Sequence, residues 1–121
     1  MSTFTEALSP VQIEGRIREV ANQIAQGVEE STRTYTEFQD AESEYNLEYA
    51  KAFLAATGAQ YEKRYKADVA TYELREKMNV AKIAYRHADR KAKALESELR
   101  AYQSVGASIR AAYKVAGRGE Y

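Results

Sequence analysis

The chain is predicted to be all-α: an elongated helical hairpin or bundle with an N-terminal helix and a long C-terminal helix, assembling into a homo-oligomer. Three observations predict this. Pro10 is the only proline, so 111 residues follow without one and nothing after it forces a helix to end. Apolar residues recur at spacings of three and four, and no alternating, turn-bounded run of the kind that makes a strand is present. The apolar inventory is also small in size, with 21 Ala and 10 Tyr against only 21 Leu, Ile, Val and Phe combined. So low a share of bulky groups accompanies disorder when net charge is high. Here 18 basic residues balance 18 acidic ones, and abundant Ala, Glu, Lys and Arg favour helix. Narrow Ala/Tyr seams that close by packing several chains together are the expected result.

Each element follows from local signals. Residues 1–9 are expected to be a flexible arm, residues 10–116 one helical domain, and residues 117–121 a loose tail holding Gly117 and Gly119. Ser9 before Pro10 reads as an N-cap followed by proline at the first helical position. Ile13, Ile17, Val20, Ile24 and Val28 then form a helical stripe. The polar cluster Glu29 to Thr34 is expected to end or kink that helix. Thr34-x-x-Glu37 reads as a capping box opening a second helix, which carries Tyr35, Phe38, Tyr45, Tyr49 and Phe53. Thr57-Gly58 is its stop, with glycine in the left-handed position. A third helix starts near Tyr61, with Val69, Tyr72, Val80, Ala84, Ala88, Leu95 and Leu99 on its apolar side and a break at Gly106.

The residue inventory points away from catalysis. The chain has no Cys, hence no thiolate nucleophile, disulfide or Cys-based zinc site. His87 is the single histidine, and the position three residues before it is Ala84, which lacks the Glu-x-x-His spacing of di-iron bundles. It reads as a helix-surface or seam-edge side chain, the alternative being a general base or one metal ligand. No H-E-x-x-H, phosphate-loop or nucleophile-elbow pattern occurs. Glu37, Asp40, Glu42, Glu44 and Glu48 are spaced as a solvated face, with divalent-cation binding the alternative. No cofactor or metal is expected. With neither a membrane-length apolar run nor a basic, apolar leader, the expected location is the cytoplasm.

Binding is the better-supported class. Residues 1–57 carry a net charge of −6 and residues 58–121 a net of +6. Just past Gly58 stands Tyr61-Glu-Lys63-Arg64-Tyr65-Lys66. Cations interleaved with aromatics suit single-stranded nucleic acid, because Lys and Arg neutralise phosphates and Tyr rings stack on unpaired bases. The alternative is that Tyr61 and Tyr65 simply cover the hydrophobic seam. Lys82, Arg86, Arg90, Lys93 and Arg100 share one helix face, continued by Arg110, Lys114 and Arg118. That face either meets a polyanion or lies beside the acidic helix and is neutralised by it. Exposed ion pairs contribute under about 1 kcal/mol each, a weak reason for such segregation. The stripe Leu95, Leu99, Tyr102, Val105, Ile109 and Tyr113 is expected to join protomers.

This layout resembles the UvsY-type recombination mediators of bacteriophages. An Ala/aromatic-rich helix from Tyr45 to Ala56 leads to a break at Gly58, then Tyr61-Glu-Lys63, then a long helix ending Leu99-Arg100-Ala-Tyr102-Gln-Ser104-Val-Gly106-Ala-Ser-Ile109-Arg110, with Ala116-Gly117 beyond. The resemblance covers roughly residues 35–117. It implies a ring-like homo-oligomer in the cytoplasm of a bacterial host that binds single-stranded DNA. It also implies contacts with the single-strand-binding protein and a RecA-like recombinase, in phage recombination and repair, without nuclease or ATPase activity. One departure matters: the family tends to carry cations in the helix before the break, where Tyr49 to Ala56 has Lys51 alone. DNA contacts would therefore fall to the cations after Gly58. The competing reading is a helical protein-interaction module, a phage assembly factor or an inhibitor of a host protein, that docks through its acidic helix without nucleic acid.

Overall fold

A computed structural model describes residues 9–119, and over that span the chain is helical: α1 (Pro10–Ala55), α2 (Gln60–Ala70) and α3 (Tyr72–Gly119), with no strand. Met1 to Leu8, most of the predicted arm, lie outside the described residues, as do Glu120 and Tyr121 and the side chain of Arg118. No described helix is long and apolar enough to cross a membrane.

α1 begins where the sequence places it. Gln12 N–H donates to Ser9 Oγ at 3.2 Å and Ser9 N–H donates to Gln12 Oε1 at 2.9 Å, a reciprocal capping box in front of Pro10. The break expected at Glu29–Thr34 is absent, and α1 runs on unbroken to Ala55. The reason is that the polar cluster satisfies itself inside the helix. Thr34 is buried, and its hydroxyl donates to the carbonyls of Glu30 at 2.9 Å and Ser31 at 3.1 Å. Arg33 bridges Glu30 and Glu37, one turn behind and one ahead. Thr34 is therefore a seam residue, and the Thr34–Glu37 box caps nothing. The second break stands as predicted: Gly58 has φ +109°, a backbone that favours glycine, and a Cβ there would run into the Glu62 carboxylate.

The third helix is interrupted at Thr71 rather than at Gly106. Thr71 is buried, and both its N–H (3.0 Å) and its Oγ1 (2.7 Å) donate to the Ala67 carbonyl. Such back-bonding of a hydroxyl bends a helix. Gly106 is continuous within α3, and so are Gly117 and Gly119, where a loose tail was expected.

Contacts divide the chain into two compact units. The first joins the start of α1 to the end of α3. Ile13, Val20 and Tyr102 are its buried core, with Ile17, Ile24, Leu95, Leu99, Val105 and Ile109 packed against them. Leu95, Leu99, Tyr102, Val105 and Ile109, expected to join protomers, are thus occupied within the chain by the isoleucines of α1. Tyr113 alone of that stripe is left exposed. The helices run antiparallel and close together. A Cβ on Gly106 would stand 3.0 Å from Ile13 Cγ2, and one on Gly27 would stand 3.8 Å from Ala92 Cβ.

The second unit, Glu29–Arg90, holds the rest of α1, α2 and the start of α3. Its antiparallel seam is built from aromatics and small residues. Tyr85 sits edge-on to Tyr35 with centroids 5.1 Å apart and stacks on Phe38 at 6.3 Å. Tyr45, Tyr49 and Phe53 follow one another along α1 at centroid separations of 6.0 and 6.4 Å. Ala41, Ala67 and Ala88 are buried, and so are Thr34 and Thr71. The predicted inner residues Val69, Tyr72, Val80 and Ala84 face outward instead. Ala81 and Tyr85 take the inward line, one residue beyond the expected Val80 and Ala84, while Ala88 is buried as expected.

The close seam of the first unit sets opposite expectations for two small changes. Gly27→Ala should stabilise by about 1 kcal/mol, since the added methyl meets ordinary contacts and the helix gains propensity. Gly106→Val should cost about 1–3 kcal/mol by overpacking against Ile13. Tyr102→Ala should cost about 3–5 kcal/mol. Urea unfolding followed by circular dichroism reads all three.

Candidate nucleic-acid interface

α2 turns its small side chains inward and its aromatics outward. Ala67 has no exposed surface and the Thr71 hydroxyl is internally bonded, which fixes the helix's rotation about its axis. Tyr61, Tyr65 and Val69, four residues apart, then fall on the solvent side at 61%, 67% and 79% exposure. Within the single chain, Tyr61 and Tyr65 therefore cover no seam. Arg64 and Lys66 are exposed and Lys63 is half-buried. Lys66 Nζ donates to the Thr57 carbonyl at 2.9 Å, tying α2 to the turn before it. The Tyr61 hydroxyl donates to Glu62 Oε1 at 3.2 Å, leaving its ring faces open.

Sequence reasoning missed one addition to this surface. Tyr72, at the start of α3, is exposed, and the Arg75 guanidinium lies 5.5 Å from its ring centroid. This cation–π pair extends the line of Tyr61 and Tyr65 with another aromatic and another cation. The signal was in the sequence as Tyr-x-x-Arg at helical spacing, but Tyr72 had been assigned to the seam.

The basic face divides between the two units. In the second unit Lys82 is half-buried, Arg86 and Arg90 are exposed, and no ion pair is recorded for either arginine among the described residues. In the first unit Lys93 and Arg100 are exposed, with Arg100 Nη2 donating to Ser97 Oγ at 3.2 Å.

Part of the acidic stretch of α1 is paired locally, while Asp40 and Glu42 form no ion pair among the described residues. Arg33 takes Glu30 and Glu37, which raise its already high pKa further, first by the Glu30 hydrogen bond and then by the charges of both carboxylates. Lys51 takes Glu48 at 3.3 Å, and Lys77 takes Glu44 across the helix pair at 3.4 Å. The α1 carboxylates therefore do not neutralise Arg86 and Arg90. His87 is exposed beside the buried Ala88. Among the described residues no group of three or more His, Cys, Asp or Glu is placed to hold a metal ion.

Comparison with known proteins finds no matching family model, no matching curated protein and no matching solved structure.

If Arg86 and Arg90 have no structural duty, reversing them is harmless to the fold. Arg86→Glu with Arg90→Glu should keep full helicity and change stability by no more than about 0.5 kcal/mol per site. Ala88→Glu, between them but buried, should unfold the second unit by placing a carboxylate in the seam. Thermal melts of the two variants separate these outcomes.

Proposed function

We propose that this chain is a non-catalytic single-stranded-DNA-binding protein of the recombination-mediator type, which helps load a RecA-like recombinase in phage recombination and repair. The observation that carries the DNA-binding part is the outward presentation of Tyr61 and Tyr65 beside the exposed Arg64 and Lys66, on a helix that buries Ala67 instead. Side chains four residues apart on a helix are displaced by about 6 Å along its axis, so each ring can meet a different base. A single strand exposes base faces that a duplex hides. Stacking contributes about 1–3 kcal/mol per base, and the cations alongside neutralise phosphates whatever the sequence. Lys63, Lys82, Arg86 and Arg90 add positive charge in the same unit, and Lys93 adds it in the other.

The recombinase, the single-strand-binding protein, the ring-like homo-oligomer and the cytoplasm of a bacterial host come from the resemblance to UvsY-type mediators. The absence of an enzymatic role is read from the residue inventory, with one histidine and no cysteine.

Fluorescence anisotropy of a labelled oligothymidine tests the DNA reading. Five phosphate contacts predict affinity about a hundredfold weaker at 200 mM than at 50 mM salt. Tyr61→Ala and Tyr65→Ala should each weaken binding about tenfold with the salt slope unchanged. Arg86→Glu with Arg90→Glu should weaken it and flatten the slope. No binding at 50 mM salt, or an affinity indifferent to salt, would rule the reading out.

A further inference from the structure

The heptad line of α3 continues past the point where α1 can cover it. α1 starts at Pro10, and in the first unit Ile13 lies against Gly106. Ile109 still packs on that core. The next seam position, Tyr113, is 64% exposed, and every residue from Arg110 to Gly117 is exposed although the helix holds its form to Gly119. A free helix end of this length is marginal in water without something to pack on. Its chemistry is specific: from Leu99 to Gly119 the sequence has four basic residues and no acidic one. Arg110, Tyr113 and Lys114 share one face at i, i+3 and i+4.

The second unit holds the complement. An open groove of about 380 Å³ between its two antiparallel helices has an apolar floor of Ala41, Val80 and Ala84 and a rim of three carboxylates, Glu37, Asp40 and Glu44, with one cation, Lys77. Lys77 pairs with Glu44 and Arg33 with Glu37, and Asp40 forms no ion pair among the described residues. Val80 is 67% exposed, so the floor is uncovered. From Thr34 to Glu48 the sequence carries five acidic residues and no basic one.

We infer that the basic α3 end of one copy docks in the acidic-rimmed Val80 groove of a second copy. Tyr113 covers Val80 and Ala84, while Arg110 and Lys114 meet the carboxylates of the rim. Helix-in-groove recognition needs this combination of an apolar anchor and flanking opposite charge. Charge complementarity favours a second copy as occupant, because both halves lie in one chain whose net charge is zero. The two surfaces differ, so the contact is heterologous. Each bound copy still offers one free end and one free groove, and assembly proceeds to a closed ring or a filament. The interface rests on the reading of this chain as self-assembling but not on its binding DNA, and it is tested without nucleic acid.

The chain has no cysteine, so Ala84→Cys and Tyr113→Cys can be made singly and mixed. Oxidation should give a cross-linked dimer of twice 13.7 kDa, at least tenfold more in the mixture than in either variant alone. Light scattering supplies the second measurement. Wild type should exceed the monomer mass. Arg110→Glu with Lys114→Glu, and separately Glu37→Lys with Asp40→Lys, should each be monomeric with helicity intact, and an equal mixture of the two double variants should reassemble. A wild type that stays monomeric overturns the inference, whether residues 1–8 or a foreign basic peptide is the true occupant. So does cross-linking no greater in the mixture than alone, or a mixture of reversed variants that stays monomeric.

Discussion

Close helix contact through small side chains, at many seam positions of the second unit and at Gly27 and Gly106 of the first, is the constraint from which most other features follow. In the second unit Thr34, Ala41, Ala81 and Ala88 take positions that a conventional coiled coil gives to Leu or Ile. In the first unit Gly27 faces Ala92 and Gly106 faces Ile13. Small residues let the backbones approach and gain dispersion contacts along the helices, but they remove little apolar area from water per residue. Six hydrophobic residues are buried among those described, and three of the six are alanines; thirteen large hydrophobics are exposed. The packing that orders the second unit thus leaves outside many of the groups that would ordinarily stabilise it.

Charge placement follows a related logic. The ion pairs that are formed lie at the surface, and most are three or four residues apart on α1. Such pairs support helix locally and add little to the fold. One pair, Lys77 with Glu44, crosses between helices. The separation of acidic α1 from the basic remainder is consequently not required for folding, and its field remains available to steer a charged partner. A chain neutral in sum, yet acidic in the first half of its sequence and basic in the second, fits the two contacts proposed above, with a polyanion and with a second copy.

Local signals were legible in the sequence. Ser9-Pro10 and Gly58 needed only their neighbours to be read, and Ile13, Ile17, Val20 and Ile24 announced their own face. The long reach of α1 was hidden because Ser31 and Thr34 look like loop residues. Inside a helix their hydroxyls can bond a carbonyl three or four positions back, as Thr34 does, and then tolerate burial. With Gly27, Ser31 and Thr34 accepted as seam positions, spacings of four and three alternate without interruption from Ile13 to Tyr45. On α3 the register was ambiguous for another reason. Ala81, Ala84 and Ala88 give no contrast in size, and only the partnership of Tyr85 with Tyr35 and Phe38 decides which of them turns inward. The outward turn of Tyr61 and Tyr65 was equally out of reach, since it depends on the inward turn of two small residues, Ala67 and Thr71.

The choice of tyrosine for the exposed positions completes the argument. Of the nine tyrosines described, Tyr102 is buried, while Tyr35, Tyr61, Tyr65, Tyr72 and Tyr113 are exposed. A phenol ring carries a large apolar face and a hydroxyl that stays hydrated, so its exposure costs less than that of Leu or Ile and its burial against a partner still removes substantial area from water. Leucine at these places would gain similar area in a complex but would attract nonspecific association in its absence. A seam of alanines flanked by outward tyrosines, with Leu54, Val69 and Ile83 also exposed, therefore leaves much of the contact area on the surface. That combination suits a protein whose contacts are made with other molecules rather than with its own interior.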